Sequence, residues 1–297
     1  MSKILVIGSA NADLTIHTDR MPKLGETVTG YGFALNCGGK GANQAIAVAK
    51  LGGNAEFIGA VGNDAYGKML VKNLEANGVE FSGTVADDMP TGTASITVVN
   101  GDNFIILNEG ANGLMTANAI QKVRSNIENS DYLIMQLEIP IEGVLEAARI
   151  AKESGTKVII NPAPYKKLPN EVFELTDYII PNEHEAFLLT GIEPENAENC
   201  KKAVEFLLAK GAKNVIITLG ADGCVCGNGE ETTHYPAVKA NVVDTTSAGD
   251  SFIGALVTKL ADGDNVEHAI GFATKVAAIT VSRHGASSSI PLANEAE

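Results

Sequence analysis

Long apolar runs are missing from this 297-residue chain, and no stretch approaches the ~18 residues a membrane helix needs. At the N-terminus only Ile4 to Ile7 precede Gly8, too little for the apolar segment of a secretory leader. Positive charge is also scarce. The 22 Lys and Arg stand against 36 Asp and Glu, a net charge of −14 that repels nucleic acid and anionic membranes. A phosphorylated ligand would therefore need a local cationic site or a metal. Cysteine is sparse and unpatterned. Cys37, Cys200, Cys224 and Cys226 fit no zinc spacing, and the C-x-C pair is not the redox C-x-x-C. Buried free thiols suit a reducing compartment, and a soluble, cytoplasmic protein is expected. No internal repeat, linker or low-complexity segment interrupts the chain, and the P-loop pattern G-x-x-x-x-G-K-[ST] is absent.

What is present alternates between strand and helix patterns. Lys3–Gly8 reads as a buried strand, followed by a polar turn at Ser9–Asp13 and a half-exposed strand around Leu14, Ile16 and Thr18. Cys37–Gln44 opens an Ala-rich helix that Gly52 and Gly53 end. A strand is expected at Glu56–Val61 and a helix capped by Asp64 through Leu74. Thr93–Val99 and Phe104–Leu107 flank Asn100-Gly101-Asp102-Asn103, a strong hairpin signal. Further on come a helix at Ala117–Ile127, strands at Tyr132–Gln136, Lys157–Asn161, Tyr178–Ile180 and Val215–Leu219, and helices at Glu142–Glu153, Glu183–Leu189 and Ala197–Lys210. Short strands near Cys224–Cys226 and Thr232–Tyr235 precede a last helix at Val266–Ser282. The expected fold is α/β: a central, mostly parallel sheet with helices on both faces, plus a small β-sheet lid. All 297 residues would form a single domain, with the lid drawn from about 12–36 and 92–108.

One stretch carries unusual chemistry. In Val243–Phe252, small residues lead into helical spacing at Phe252, Ala255, Leu256 and Leu260. Asp250 then sits in the first turn of a helix, where free N–H groups carry partial positive charge and suit a phosphate. A carboxylate there makes chemical sense if it meets a hydroxyl that attacks the phosphate. Taken alone, the helix dipole would account for an Asp at that place. Other polar residues fall at expected strand ends, where parallel sheets bind ligands: Asn11, Asp13, Gln136–Glu138, Asn161, Asn182 and Thr218–Gly223. Each of these has a plain alternative as a turn, a cap or a solvated strand end; their clustering is what argues for one site.

Two motifs in this order, Gly38-Gly39-Lys40-Gly41-Ala42-Asn43-Gln44-Ala45 and Asp244-Thr245-Thr246-Ser247-Ala248-Gly249-Asp250-Ser251-Phe252, give the chain its family likeness. With Asn11-Ala12-Asp13, Met135–Glu138, Asn161–Pro164, Pro181–Glu185 and Thr218–Gly220, it resembles the ribokinase-like, PfkB-type carbohydrate kinase family over essentially its whole length.

The resemblance implies an ATP-dependent sugar kinase acting on D-ribose at O5, with Asp250 as general base. It implies an anion hole from the amides of Ser247, Ala248 and Gly249. Asn11, Asp13, Gly38, Gly39, Lys40, Asn43 and Glu138 would bind the sugar. Asn182, Thr218, Gly220, Gly223 and Thr274, with Ala248 and Gly249, would bind ATP. Asn182 and Glu185 would serve Mg²⁺ through its waters. Asp244, Thr246, Thr280, Arg283, Gly285 and Ser289 would hold K⁺, mainly by backbone oxygens. A homodimer joined through the lid sheets is also implied, with neither nucleic acid nor membrane as partner. Three positions depart from the family pattern: Ser247 where Gly is commonest, Ser251 where Thr is frequent, and Thr274 where Asn or His is expected near adenine. Rival readings are a kinase for deoxyribose, fructose or a nucleoside, and a non-catalytic sugar sensor; a sensor should have lost the base, the anion loop or Lys40.

Overall fold

Lys3–Ile7 is a run of apolar residues buried on both faces, the composition of a central parallel strand. In the computed structural model, which describes residues 2–100 and 102–297, it lies inside a nine-stranded sheet. The order is Thr232–Tyr235, Cys224–Gly227, Asn214–Thr218, Tyr178–Ile179, Lys157–Ile160, Tyr132–Met135, Lys3–Ile7, Asn54–Ile58, Glu80–Phe81. The first two of these pair antiparallel and the others parallel. Alternate residues serve two cores. Leu5, Ile7, Leu133 and Met135 pack against helices that include Ile141–Ser154 and Ala197–Ala209. Ile4, Val6, Ile134 and Ile216 face the helices Lys40–Lys50, Ala65–Ala76, Ala248–Ala261 and Val266–Val281.

The chain leaves Lys3–Ile7 toward one edge of the sheet and later returns to pair Tyr132–Met135 on its other side. The carboxyl ends of these two neighbours form a topological switch point, the usual crevice for a ligand. Beside it stands a separate four-stranded sheet in the order Tyr31–Gly38, Asn11–His17, Gly92–Val99, Asp102–Asn108.

Several expectations need correction. Asn11–Asp13 is no turn: these residues begin a strand, paired with Gly38–Asn36 on one side and Gly92–Ala94 on the other. Tyr31–Gly38 was not foreseen as a strand; Gly30 and Gly32 masked its alternation, and Tyr31, Phe33 and Leu35 are exposed. The run Glu56–Val61 divides at Gly59, where an added Cβ would stand 2.6 Å from Gly8 O. Asn54–Ile58 joins the main sheet, and Ala60–Gly62 pairs with Thr84–Ala86. Ala117–Ile127 forms two short helices, Ala117–Lys122 and Arg124–Glu128. Asn170–Leu175, flanked by Pro169, adds a short helix that no periodicity signalled. The hairpin strands pair antiparallel, while Gly101 of its turn lies outside the described residues.

Cys37 is half-buried and the other three cysteines are buried, all four as free thiols. No helix among the described residues is long and apolar enough to cross a membrane.

Candidate active site

Two helices meet closely where Gly254 faces Ala47: a Cβ on Gly254 would lie 2.4 Å from that of Ala47. One turn toward the N-terminus from each contact stand Asp250 and Asn43. The close crossing therefore sets these two side chains against each other. Asn43 Nδ2 donates to Asp250 Oδ2 at 3.2 Å, and Gln44 Nε2 donates to Asp250 Oδ1 at 2.9 Å. Asp250 is only 7% exposed.

Ser247, the cap of the Asp250 helix, adopts the left-handed conformation with φ 60°, uncommon for a residue with a side chain. Its hydroxyl is buried without a partner. Ala248 N donates 3.2 Å back to Thr245 O, whereas Gly249 N has no backbone acceptor among the described residues. Apart from its chain neighbours and the backbone of its own helix, no protein atom lies within 4 Å of where a Cβ on Gly249 would stand. Packing therefore does not require glycine there; the space belongs to the cleft.

The switch point gathers the second group. Glu138 Oε2 accepts from Ser9 Oγ, from Asn11 Nδ2 at 3.3 Å and from Lys40 N at 3.2 Å. Asn11 Oδ1 in turn accepts from Asn112 Nδ2 at 2.7 Å, and Asn112 Oδ1 accepts from Ala10 N at 3.0 Å. Asp13 lies over Gly38 so closely that a Cβ there would fall 2.1 Å from its Oδ2. Gly39, at φ 93°, brings its backbone against Ala10 and Asn11 with no room for a side chain. Burial, reinforced by the charges of Glu138 and Asp250, pushes the Asp13 carboxyl up to about 7. Lys40 feels the opposite balance. Burial alone would lower it, but Asp250, Glu138 and Glu185 together hold it above its ordinary value.

A cleft of about 530 Å³ is lined by Lys40, Asn182, Glu185, Ser247, Gly249 and Asp250, among others. It adjoins a more apolar cavity of about 580 Å³, where Thr218, Gly220, Gly223, Thr274 and Val281 stand; Ala248 and Gly249 line both. Gly223, at φ 90°, also has a structural reason, since a Cβ there would meet Tyr235 O at 2.0 Å. Thr274 gives its hydroxyl proton to Gly271 O at 2.9 Å. Asn182 caps the helix Glu183–Thr190 in a reciprocal box with Glu185: Oδ1 accepts from Glu185 N at 2.8 Å, and Glu185 Oε2 accepts from Asn182 N at 2.9 Å. Burial outweighs the Asn182 and Lys40 contacts and raises the Glu185 carboxyl.

The residues named for a monovalent cation form a loop cluster farther along. Asp244 Oδ1 takes Thr246 N at 2.9 Å and Oδ2 takes Gly285 N at 3.0 Å. Burial acts against its charge, yet these bonds hold the carboxyl below its ordinary value. The Thr280 and Ser289 hydroxyls donate to Val276 O and Ala286 O. The Arg283 guanidinium pairs with Glu295 at 2.6 Å, so only its backbone is left for the loop.

The structure thus brings together Asn11, Asp13, Lys40, Asn43, Glu138, Glu185 and Asp250, through direct bonds or mutual charge effects. Of the cation set, Asp244, Thr246 and Gly285 are bonded to one another, and Thr246 stands between Thr245 and Ser247 of the cleft lining. Sequence reasoning missed Asn112 and gave Gln44 no role of its own.

The sequence model of the pfkB family carbohydrate kinases matches residues 1–293. A ribokinase of Staphylococcus aureus (strain COL) is 39% identical over 303 residues, covering 99% of this chain and 98% of that protein. A bifunctional ribokinase/ribose-5-phosphate isomerase A of Fructilactobacillus sanfranciscensis is 42% identical over 295 residues; the match takes in 98% of this chain but 55% of that longer protein. The structure of the Arabidopsis thaliana ribokinase complexed with ribose and ATP superposes with a TM-score of 0.95 at 33% identity, over 99% of this chain and 97% of that one. The chain belongs to the pfkB family of carbohydrate kinases, enzymes that transfer a phosphoryl group to a sugar.

Proposed function

We propose that this kinase transfers the γ-phosphoryl group of ATP to O5 of D-ribose, giving D-ribose 5-phosphate and ADP. The observation that carries the reading is the buried Asp250 carboxylate, held by Asn43 and Gln44 at the mouth of a helix whose first turn borders an open cleft. As O5 attacks the γ-phosphorus, its proton passes to Asp250 and the bond to the ADP oxygen breaks. A sugar hydroxyl is far too weak an acid to be ionised beforehand by a carboxylate, so transfer accompanies attack. The Ser247, Ala248 and Gly249 amides meet the shifting charge; Ala248 N exchanges its long bond to Thr245 O for a phosphoryl oxygen. Lys40 N–H groups, kept cationic by three carboxylates, offset phosphate charge in a chain that is otherwise acidic.

The sugar lies at the switch point. Asp13 and Glu138 accept its hydroxyl protons, Asn11 and Asn43 offer amide donors, and the backbone of Gly38 and Gly39 permits close approach. The adenosine part occupies the cavity of Thr218, Gly220, Gly223 and Thr274. The four-stranded sheet closes over the sugar as a lid, and its exposed apolar residues pack against those of a second copy.

The residues present fit the two ions. Asn182 and Glu185 spend one oxygen each on their mutual cap, leaving the second Glu185 oxygen for a water of Mg²⁺. Bound at the ATP phosphates, Mg²⁺ would neutralise their charge. The ionised Asp244 beside the Thr280–Ser289 carbonyls suits K⁺.

An ADP-release screen across pentoses, hexoses and nucleosides, with and without K⁺, tests the reading. Ribose is expected to give the highest kcat/KM; faster turnover of deoxyribose, fructose or a nucleoside would reassign the substrate, and release with none would favour a sugar-sensing role.

A further inference from the structure

We propose that Gln136 and Gln44 form a buried amide relay that orients the Asp250 carboxylate, making both of them positioning residues for phosphoryl transfer. This rests on the reading of Asp250 as the base. Gln44 is fully buried and Gln136 is 1% exposed. Gln136 Nε2 donates to Gln44 Oε1 at 2.5 Å, and Gln44 Nε2 donates both to Asp250 Oδ1 at 2.9 Å and to Asn161 Oδ1 at 3.2 Å.

The direction of the relay is fixed at its far end. Asn161 Nδ2 donates to the Ile180 carbonyl at 2.9 Å. A carbonyl can only accept, so Asn161 must turn its own oxygen toward Gln44. Gln44 must then aim its NH₂ at Asn161 and Asp250 and its oxygen at Gln136. Turned the other way, the Gln44 oxygen would face two oxygens and its NH₂ would face another NH₂. A backbone carbonyl at a strand end thus sets which way a side chain two steps removed presents its protons to the base.

Gln136 is held in place at some expense. Its Oε1 is buried with no partner, and Gly8 leaves the space it occupies: a Cβ there would lie 2.1 Å from that oxygen. A buried acceptor without a donor is rare enough to need a reason. The opposite end of the same amide serves Gln44. With Oδ1 tied to Gln44, Oδ2, which has the longer contact to Asn43, is left to take the sugar proton.

The test uses isosteric, unbranched replacements in the full-length protein. Gln44→Met is expected to lower kcat by roughly tenfold or more. Sugar KM should stay within about threefold. Gln136→Met is expected to lower kcat by less. The double variant should match Gln44→Met alone, because Gln136 acts only through Gln44. Should Gln44→Met fail to fold, Gln44→Glu serves instead; it turns an oxygen rather than an NH₂ toward Asp250 and Asn161 and should lower kcat further. Variants with unchanged kcat, losses that fall on sugar KM rather than kcat, or a double variant whose losses multiply would overturn the relay. Wild-type protein that turns over no sugar would instead sink the functional reading.

Discussion

Asn43 donates its amide to Asp250 across 3.2 Å, joining two motifs that stand 207 residues apart in the chain. The bond couples the helix proposed to face the sugar to the proposed base. Asn43→Ala removes one of two donors to that carboxylate and, on the proposed reading, one contact to the sugar. Both kcat and sugar KM should worsen, with kcat/KM falling by roughly 10- to 100-fold for the loss of one charge-assisted hydrogen bond. Steady-state kinetics with ribose as the varied substrate would check this; a change in KM alone would show that the contact to Asp250 is idle.

Asp13 makes stability depend on pH. In the unfolded chain it titrates near 3.8, but in the fold at about 7. Between those values the folded form binds the extra proton, so the Asp13 contribution is intact at low pH and is lost as pH rises through 7. Asp13→Asn should therefore gain melting temperature relative to wild type at pH 8 and little at pH 4, while binding ribose more weakly. Ribose, whose hydroxyls need an acceptor, should displace the Asp13 proton on binding near pH 6. Calorimetry in buffers of different ionisation enthalpy would detect that proton; its absence would place the raised group elsewhere.

Gly249 faces open cleft, with no atom from outside its own helix turn near the position of a Cβ. Gly249→Val should fold with little change in melting temperature. Its side chain would stand where ATP phosphates are proposed to lie, raising ATP KM by about tenfold or more, a loss of roughly 1.4 kcal/mol per decade. Unchanged ATP KM would move the nucleotide away from the Ala248–Gly249 turn.

The four-stranded sheet exposes Phe33 by 67% and Ile106 by 75%, both on its edge strands. Uncovered apolar edges of that kind invite pairing. Ile106→Asp should convert the proposed dimer to monomer in sedimentation equilibrium. A wild-type protein that already sediments as a monomer would remove the second copy from the account.

Much of the fold could be read from local pattern. Lys3–Ile7, Tyr132–Met135 and Lys157–Ile160 are short apolar runs closed by polar residues, which is what a doubly covered parallel strand must look like. Tyr31–Gly38 was not legible because its apolar residues face outward and Gly32, at φ 61°, breaks the run. Asp250 could be picked out because its helix start and motif are contiguous. Asn112 could not, since it lies in a short turn, Gly110–Leu114, without periodicity, and its bonds to Ala10 and Asn11 span about a hundred residues. Gln44 was visible in its motif, but the partners that give it a direction come from two other strand ends, a relationship that exists only in the folded chain.

The most direct test compares wild type with Asp250→Asn, measuring phosphopentose formation from ribose and ATP by ³¹P NMR alongside ribose affinity by calorimetry. The account predicts ribose 5-phosphate from the wild type, with formation slowed by roughly 10²- to 10⁴-fold in the variant, the usual loss for a general base, and ribose affinity kept within a few-fold. Near-normal product formation by Asp250→Asn would contradict it.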